Sequence, residues 1–311
     1  MEKIATREAY GKYLVELGKQ NPKIVVFDGD LSGATKTSYF REAFPDRHFN
    51  AGIAEADLMG MAAGISTTGL IPFASTFAIF GAGRAFEIIR NSICYSKLNV
   101  NICCTHAGLS VGEDGGSHQS IEDIALMRVL PNMHVFVPAD AVETRRMLDA
   151  ALTIDGPVYI RLCRLATNVI LPEDYEFVPG KAVELKSGSD VTIMAIGLMV
   201  ERALEAAEAL KAEGIDARVL NMGSIKPIDK AAIEAAAKET GAIVTAEEHS
   251  IIGGLAGAVC ETLAETTPCP VEKVGVNDVF GQSGKAPEVL EAYGLTAEHI
   301  VKAAKDAIAR K

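Results

Sequence analysis

Short β-branched runs alternate with longer segments rich in Ala, Leu and Met along the whole chain, the pattern of parallel sheets whose strands are joined by helical crossovers. In a first series, Ile24–Phe27, Ile71–Ala74, Val100–Thr105, His134–Val137 and Val158–Arg161 read as strands. Helical spacing lies between them. Tyr10, Tyr13, Leu14 and Leu17 fall at i, i+3, i+4 and i+7, which predicts an opening helix with one apolar face. Between Asn168 and Ser189 the pattern lapses into Leu171-Pro172-Glu173-Asp174-Tyr175 and Pro179-Gly180, a charged, proline-containing connection. A second series follows, with strands at Val191–Ile196, Ala217–Leu220, Ala242–Ala246 and Val271–Val274. The expected fold is α/β: two consecutive doubly wound α/β domains, 1–170 and 189–311, with 171–188 as linker. The halves share a class but no repeated motif.

Composition narrows what such a chain does. With 311 residues, 49% hydrophobic and 23% charged, it has enough apolar content for two ordinary globular domains. A formal net charge of -11, with no Lys- or Arg-rich run, argues against nucleic acid as a partner. Anionic substrates need individually placed arginines instead. Met1-Glu2-Lys3-Ile4 has no signal-like apolar stretch, and no run of 18 apolar residues suggests a membrane span, so the expected location is cytoplasmic. None of the six cysteines forms a C-x-x-C pair, and adjacent Cys103 and Cys104 point to opposite faces of a strand. Buried, reduced thiols are expected.

Candidate chemistry gathers in one loop. Thr105-His106-Ala107-Gly108-Leu109-Ser110-Val111-Gly112-Glu113-Asp114-Gly115-Gly116-Ser117-His118-Gln119 follows the predicted strand at Val100 and holds two of the six histidines. Its four glycines permit positive φ and close approach to a ligand, and a Gly-rich loop at the carboxyl end of a strand is where open α/β sheets bind ligands. Three readings stand on spacing alone: His106, His118 and Asp114 as a two-histidine, one-carboxylate metal set, the same residues as local caps, or direct ligand binding by the histidines. Gly81-Ala82-Gly83-Arg84-Ala85-Phe86 and Gly253-Gly254-Leu255-Ala256-Gly257 both fail the dinucleotide-binding spacing.

Three further features invite a role. Glu55 opens an Ala/Met/Gly-rich helix running toward Ser66, where the surroundings leave a carboxyl group desolvated and suited to sharing a proton, or else simply placed to offset the helix dipole. Phe77 and Phe80 sit three apart among small residues, so their rings can face a cavity and stack on a flat heteroaromatic ring. Arg7, Arg161 and Arg164 offer the guanidinium forks that a phosphate needs.

As an ordered set, Asp28-Gly29-Asp30-Leu31, Ala51-Gly52-Ile53-Ala54-Glu55, Ser75-Thr76-Phe77-Ala78-Ile79-Phe80, Thr105-His106 and Gly112-Glu113-Asp114-Gly115 with His118-Gln119 resemble the thiamine-diphosphate pyrimidine-binding domain of transketolase. Ala246-Glu247-Glu248-His249-Ser250-Ile251-Ile252-Gly253-Gly254 is similar to the C-terminal domain of that family. The earlier diphosphate-binding domain, with its G-D-G motif and downstream asparagine, has no counterpart, since Asp28-Gly29-Asp30 reads D-G-D. The resemblance therefore implies the C-terminal subunit of a split transketolase, moving a two-carbon ketol unit between sugar phosphates with thiamine diphosphate. A separate N-terminal subunit then supplies the diphosphate site and its Mg2+ or Ca2+. It also implies a homodimer of this chain within a heterotetramer.

By the same resemblance, Glu55 hydrogen-bonds the aminopyrimidine nitrogen and favours the imino form, Phe77 and Phe80 pack around that ring, and Asp30 helps form its pocket. His118 and Asp114 contact donor hydroxyls, with His118 assisting proton transfer. Arg7, His106 and Arg164 take the sugar phosphate. Two positions depart from the family pattern: Gly83 stands where many members have a third aromatic, and Ala34 where many have a phosphate-contacting serine. The beta subunit of a thiamine-dependent two-oxoacid dehydrogenase has the same layout and ranks second, with deoxyxylulose-phosphate synthase third. A noncatalytic scaffold subunit is the alternative from another class.

Overall fold

The computed structural model describes residues 2–311. Its first sheet has seven strands in the spatial order Ser224–Lys226, His134–Phe136, Val158–Arg161, Asn101–Cys104, Ile71–Ser75, Ile24–Asp28, His48–Asn50. All pair in parallel except Ser224–Lys226, which runs antiparallel to His134–Phe136. A second, five-stranded sheet follows the order Val271–Val276, Ile243–Ser250, Val191–Ala195, Ala217–Asn221, Val183–Lys186, with the last strand antiparallel. Helices cover both sheets, as the alternating pattern predicts.

Every residue of Ile24–Asp28 is buried, because crossover helices bury both faces of a parallel strand. Ile24 and Val26 pack with Tyr10, Leu14 and Leu17 of the opening helix Thr6–Gln20, while Val25 and Phe27 pack on the other face with Leu58, Met59 and Ala62 of helix Glu55–Ser66. Cys103 and Cys104 divide between the same two cores. The nine strands expected from apolar runs are all present.

Five short strands carry no such run: Lys3–Ala5, His48–Asn50, Ala166–Asn168, Val183–Lys186 and Ser224–Lys226. One of them lies in the connection and another crosses between the halves. Val183–Lys186, inside the stretch read as a connection, pairs with Ala217–Asn221 of the second sheet. Ser224–Lys226 comes from the second half of the chain yet completes the edge of the first sheet. The larger core cluster is accordingly continuous, running from Val25 and Ile102 to Met194, Leu220 and Val259. Among the described residues, no helix is long and apolar enough to cross a membrane.

Candidate active site

The carboxyl ends of the parallel strands converge on one edge of the first sheet, where α/β folds bind ligands. Asp30 follows Ile24–Asp28, Glu55 follows His48–Asn50, Phe77 follows Ile71–Ser75, His106 follows Asn101–Cys104 and Arg164 follows Val158–Arg161. Strained backbone marks the same edge. Asp30 and His106 adopt φ of 64° and 56°, the left-handed region that side chains other than glycine rarely occupy.

Glu55 begins its helix with 2% of its surface exposed. Its Oε2 accepts from Arg84 Nη1 at 2.9 Å. The Arg84 side chain is 55% exposed, and its guanidinium carbon lies 4.8 Å from the centre of the Phe80 ring. Arg84 reaches both partners because Ile79–Arg84 winds as a wide turn, with Ala85 N donating five residues back to Phe80 O. Phe80 and Phe77 are nearly parallel, 5.9 Å between centres and 12° between planes. The His106 ring stacks on Phe77 at 3.8 Å, and His118 meets Phe80 edge-on at 5.4 Å.

On its far side, His106 Nε2 lies 3.2 Å from Arg7 Nη1. Arginine only donates, so Nε2 accepts and Nδ1 carries the proton toward Thr105 Oγ1, 2.8 Å away. Burial and then the nearby Arg7 and Arg164 charges pull this imidazole down to about 3, which keeps it neutral. Arg7 also donates to the Ala34 carbonyl at 2.8 Å. Arg164 Nη1 bonds Val111 O at 2.6 Å and Asp114 Oδ2 at 3.3 Å.

Glu55, Arg84, Phe80, Phe77, His106 and Arg7 thus form one run of contacts, with His118 across the rings and Asp114 on Arg164 at the rim. Asp30 stands apart, accepting from Asn50 Nδ2 at 2.8 Å. The metal set considered for the loop does not assemble: His106 faces Arg7, His118 Nδ1 faces Ser117 and Asp114 faces Arg164. Among the described residues, no three His, Cys, Asp or Glu side chains are grouped to hold an ion. Arg161 is also removed from the phosphate candidates. It is buried, pairing with Asp123 Oδ2 at 2.9 Å and donating to the carbonyls of Ser120 and Glu248.

Arg84 was not among the candidates from sequence. A lone cation after Gly-Ala-Gly carries no periodic signal, and its partner Glu55 is 29 residues away in the chain. Two buried polar atoms beside the run have no protein partner, Arg7 Nε and Thr76 Oγ1. Unsatisfied polar atoms in a native site are where a ligand's own groups fit. At Gly83 an added Cβ meets only Ile79 Cδ1 at 3.8 Å, so the site has open space at that position.

The comparisons with known proteins agree over the full length. The family model for the transketolase pyrimidine-binding domain matches residues 2–169, and that for the transketolase C-terminal domain matches 180–300. A 6-deoxy-6-sulfo-D-fructose transketolase subunit of a Clostridium species is 42% identical, over 98% of this chain and 95% of its own. Human transketolase is 38% identical over 99% of this chain, which spans 50% of that protein. A solved structure described as "Split gene transketolase, inactive beta4 tetramer" superposes with a TM-score of 0.93 at 62% identity, covering 99% of each chain.

Proposed function

The chain belongs to the transketolase family, and from that premise we propose that it is the C-terminal subunit of a two-subunit transketolase. Its reaction moves a two-carbon ketol unit from a ketose phosphate to an aldose phosphate. The observation that carries this reading is the single run of contacts from Glu55 through the Phe80 and Phe77 rings to His106 and Arg7. It sets a buried carboxylate, two parallel rings and a cationic rim in one line.

Thiamine diphosphate suits this edge. When bound, it supplies the electron sink that holds the two-carbon fragment between donor and acceptor. The Glu55 carboxylate anchors the aminopyrimidine ring by a hydrogen bond at a ring nitrogen. Phe77 and Phe80 orient the ring plane and keep water from it, and Asp30 lines the rim. His118 and Asp114 grip the donor hydroxyls, with His118 positioned to move a proton. Arg7 and Arg164 hold the sugar phosphate, and neutral His106 accepts from Arg7 and so fixes its fork. A separate N-terminal subunit brings the diphosphate site and its Mg2+ or Ca2+. Two copies of each subunit form the working complex in the cytoplasm.

Reconstitution tests the reading. This chain is mixed with a separately produced N-terminal, diphosphate-binding transketolase subunit, thiamine diphosphate and Mg2+, and two-carbon transfer from xylulose 5-phosphate is followed. Transfer by the mixture and none by either subunit is the expected result, with a mass corresponding to two of each. Pyruvate decarboxylation without ketol transfer instead assigns the chain to the two-oxoacid dehydrogenases. Full activity of a one-to-one heterodimer contradicts the assembly.

A further inference from the structure

The four glycines of the Gly108–Gly116 segment suggest close approach to a ligand, but each faces the second half of the chain. A Cβ on Gly108, where φ is +78°, falls 2.4 Å from Glu248 Cδ. On Gly112 it falls 3.3 Å from Gly284 O, on Gly115 2.3 Å from Ser283 Oγ, and on Gly116 2.7 Å from Gly281 O. The loop carrying Asp114 and His118 is therefore pressed against two pieces of the C-terminal domain. These are the strand Ile243–Ser250 and the segment Gly281–Gly284.

Hydrogen bonds fix the two surfaces together. The buried Glu248 carboxylate accepts the backbone N–H of Ser110. Arg161 ties the loop's base to the same strand, donating to Ser120 O at 3.3 Å and to Glu248 O at 2.9 Å. From above, Gln119 Nε2 donates to Leu109 O and Gly112 O within the loop and to Gln282 O, 3.0 Å away, across the interface. Glu248 is the one side chain whose carboxylate both receives a loop N–H and occupies the space that a side chain at 108 needs.

Building on the site reading above, in which this loop holds the donor sugar, we propose that Glu248 is a positioning residue for that loop. The C-terminal domain serves as the template that sets the height of Gly108–Ser110, and with it the reach of Asp114 and His118 toward substrate. Glu248 touches no substrate itself. Its effect belongs to donor binding; Glu55, which anchors the ring end, makes none of these contacts.

The test compares Glu248→Ala and Glu248→Gln in the two-subunit complex. Gln keeps an oxygen for the Ser110 N–H; Ala removes it and the packing under Gly108. Expected for Ala is a rise of about tenfold in the KM for xylulose 5-phosphate, with thiamine diphosphate affinity, read by calorimetry, within about twofold of the parent; this corresponds to one lost buried hydrogen bond. Gln restores most of the KM. An unchanged KM in the Ala variant, a parallel loss of cofactor affinity, or Gln matching Ala overturns the proposal. Amide hydrogen exchange reads the same clamp without turnover: in Glu248→Ala it quickens at 109–119 and stays as it was in Glu55–Ser66. Should the parent complex transfer no ketol unit, the functional reading fails while exchange still decides the clamp. Should Glu248→Ala not fold, Gly108→Ala pushes the same contact from the other side, and an unaltered KM or loop exchange there overturns it equally.

Discussion

At the end of the site that we propose holds the donor sugar, Gly108, Gly112, Gly115 and Gly116 all lie against the C-terminal domain, and Arg161, Glu248 and Gln119 bond the loop from both sides. At the ring end, Glu55 is met by Arg84, a side chain with 55% of its surface in solvent, and Ile53, two residues earlier, is 78% exposed. The difference is one of completeness. A loop held by buried hydrogen bonds to its own chain is preorganised before any ligand arrives, which lowers the ordering cost of binding. The ring end presents a buried acid paired with a half-exposed cation, with the Ile53 side chain in solvent beside it. On the function proposed above, the loop end is complete within this chain and the ring end is completed by the partner subunit.

The largest effect expected at the unfinished end comes from Glu55→Gln. Gln keeps the shape and the hydrogen-bonding oxygen but not the charge, so ketol transfer in the reconstituted pair falls by roughly 10²–10⁴ at saturating cofactor, the range for a proton-transfer group. Near-normal turnover would remove Glu55 from the chemistry and leave it a helix-start residue. At the finished end, Arg7→Ala raises the KM for phosphorylated donors by about 10- to 100-fold, the value of hydrogen bonds to an ionised group. A donor without phosphate serves as control, and an equal rise for it would place Arg7 in loop support and not in phosphate binding.

How far each end could be read in the sequence follows from the same contrast. Strands buried on both faces print long apolar runs, so Ile24–Asp28 and Val191–Ala195 were legible; the three-residue edges at His48–Asn50 and Ser224–Lys226 print none. The expected strand at Ala242–Ala246 stops where Glu247-Glu248-His249 begins, yet the strand runs on to Ser250 with those three side chains buried. A polar triplet continuing an apolar strand was the available signal for the clamp. In the sequence the loop glycines signal freedom at positive φ, a pattern that suits a ligand and a neighbouring domain equally well.

A smaller effect concerns His106, which joins the ends by stacking on Phe77 while accepting from Arg7. With its folded value pulled down to about 3 and an unfolded value near 6.5, the unfolded chain takes up the proton first as pH falls. This contribution to stability is fully present above pH ~6.5 and declines toward about pH 3. The expected observation is an imidazole resonance for His106 that does not titrate between pH 8 and 5. In Glu55→Gln it stays the same, since the ring end does not set it. Thermal unfolding of His106→Gln falls less steeply with acid than the parent; equal slopes would mean that other groups carry the acid sensitivity.

The smallest effect asks whether the ring end is held in reserve by Arg84. A guanidinium is planar, donates N–H and stacks on an aromatic face; Arg84 does all of this, donating to Glu55 and lying over Phe80. On the function proposed above, an aminopyrimidine ring would use the same acid and the same rings, so Arg84 would compete with it. The ion pair is half in solvent, and exposed pairs contribute about 0.2–1 kcal/mol. Arg84→Met therefore tightens thiamine diphosphate binding to the two-subunit complex by about 1.5- to 5-fold in calorimetry, with Glu248 and the sugar loop unaffected. Weaker binding would instead make Arg84 a support for the ring, and the ring end would then be as prebuilt as the sugar end.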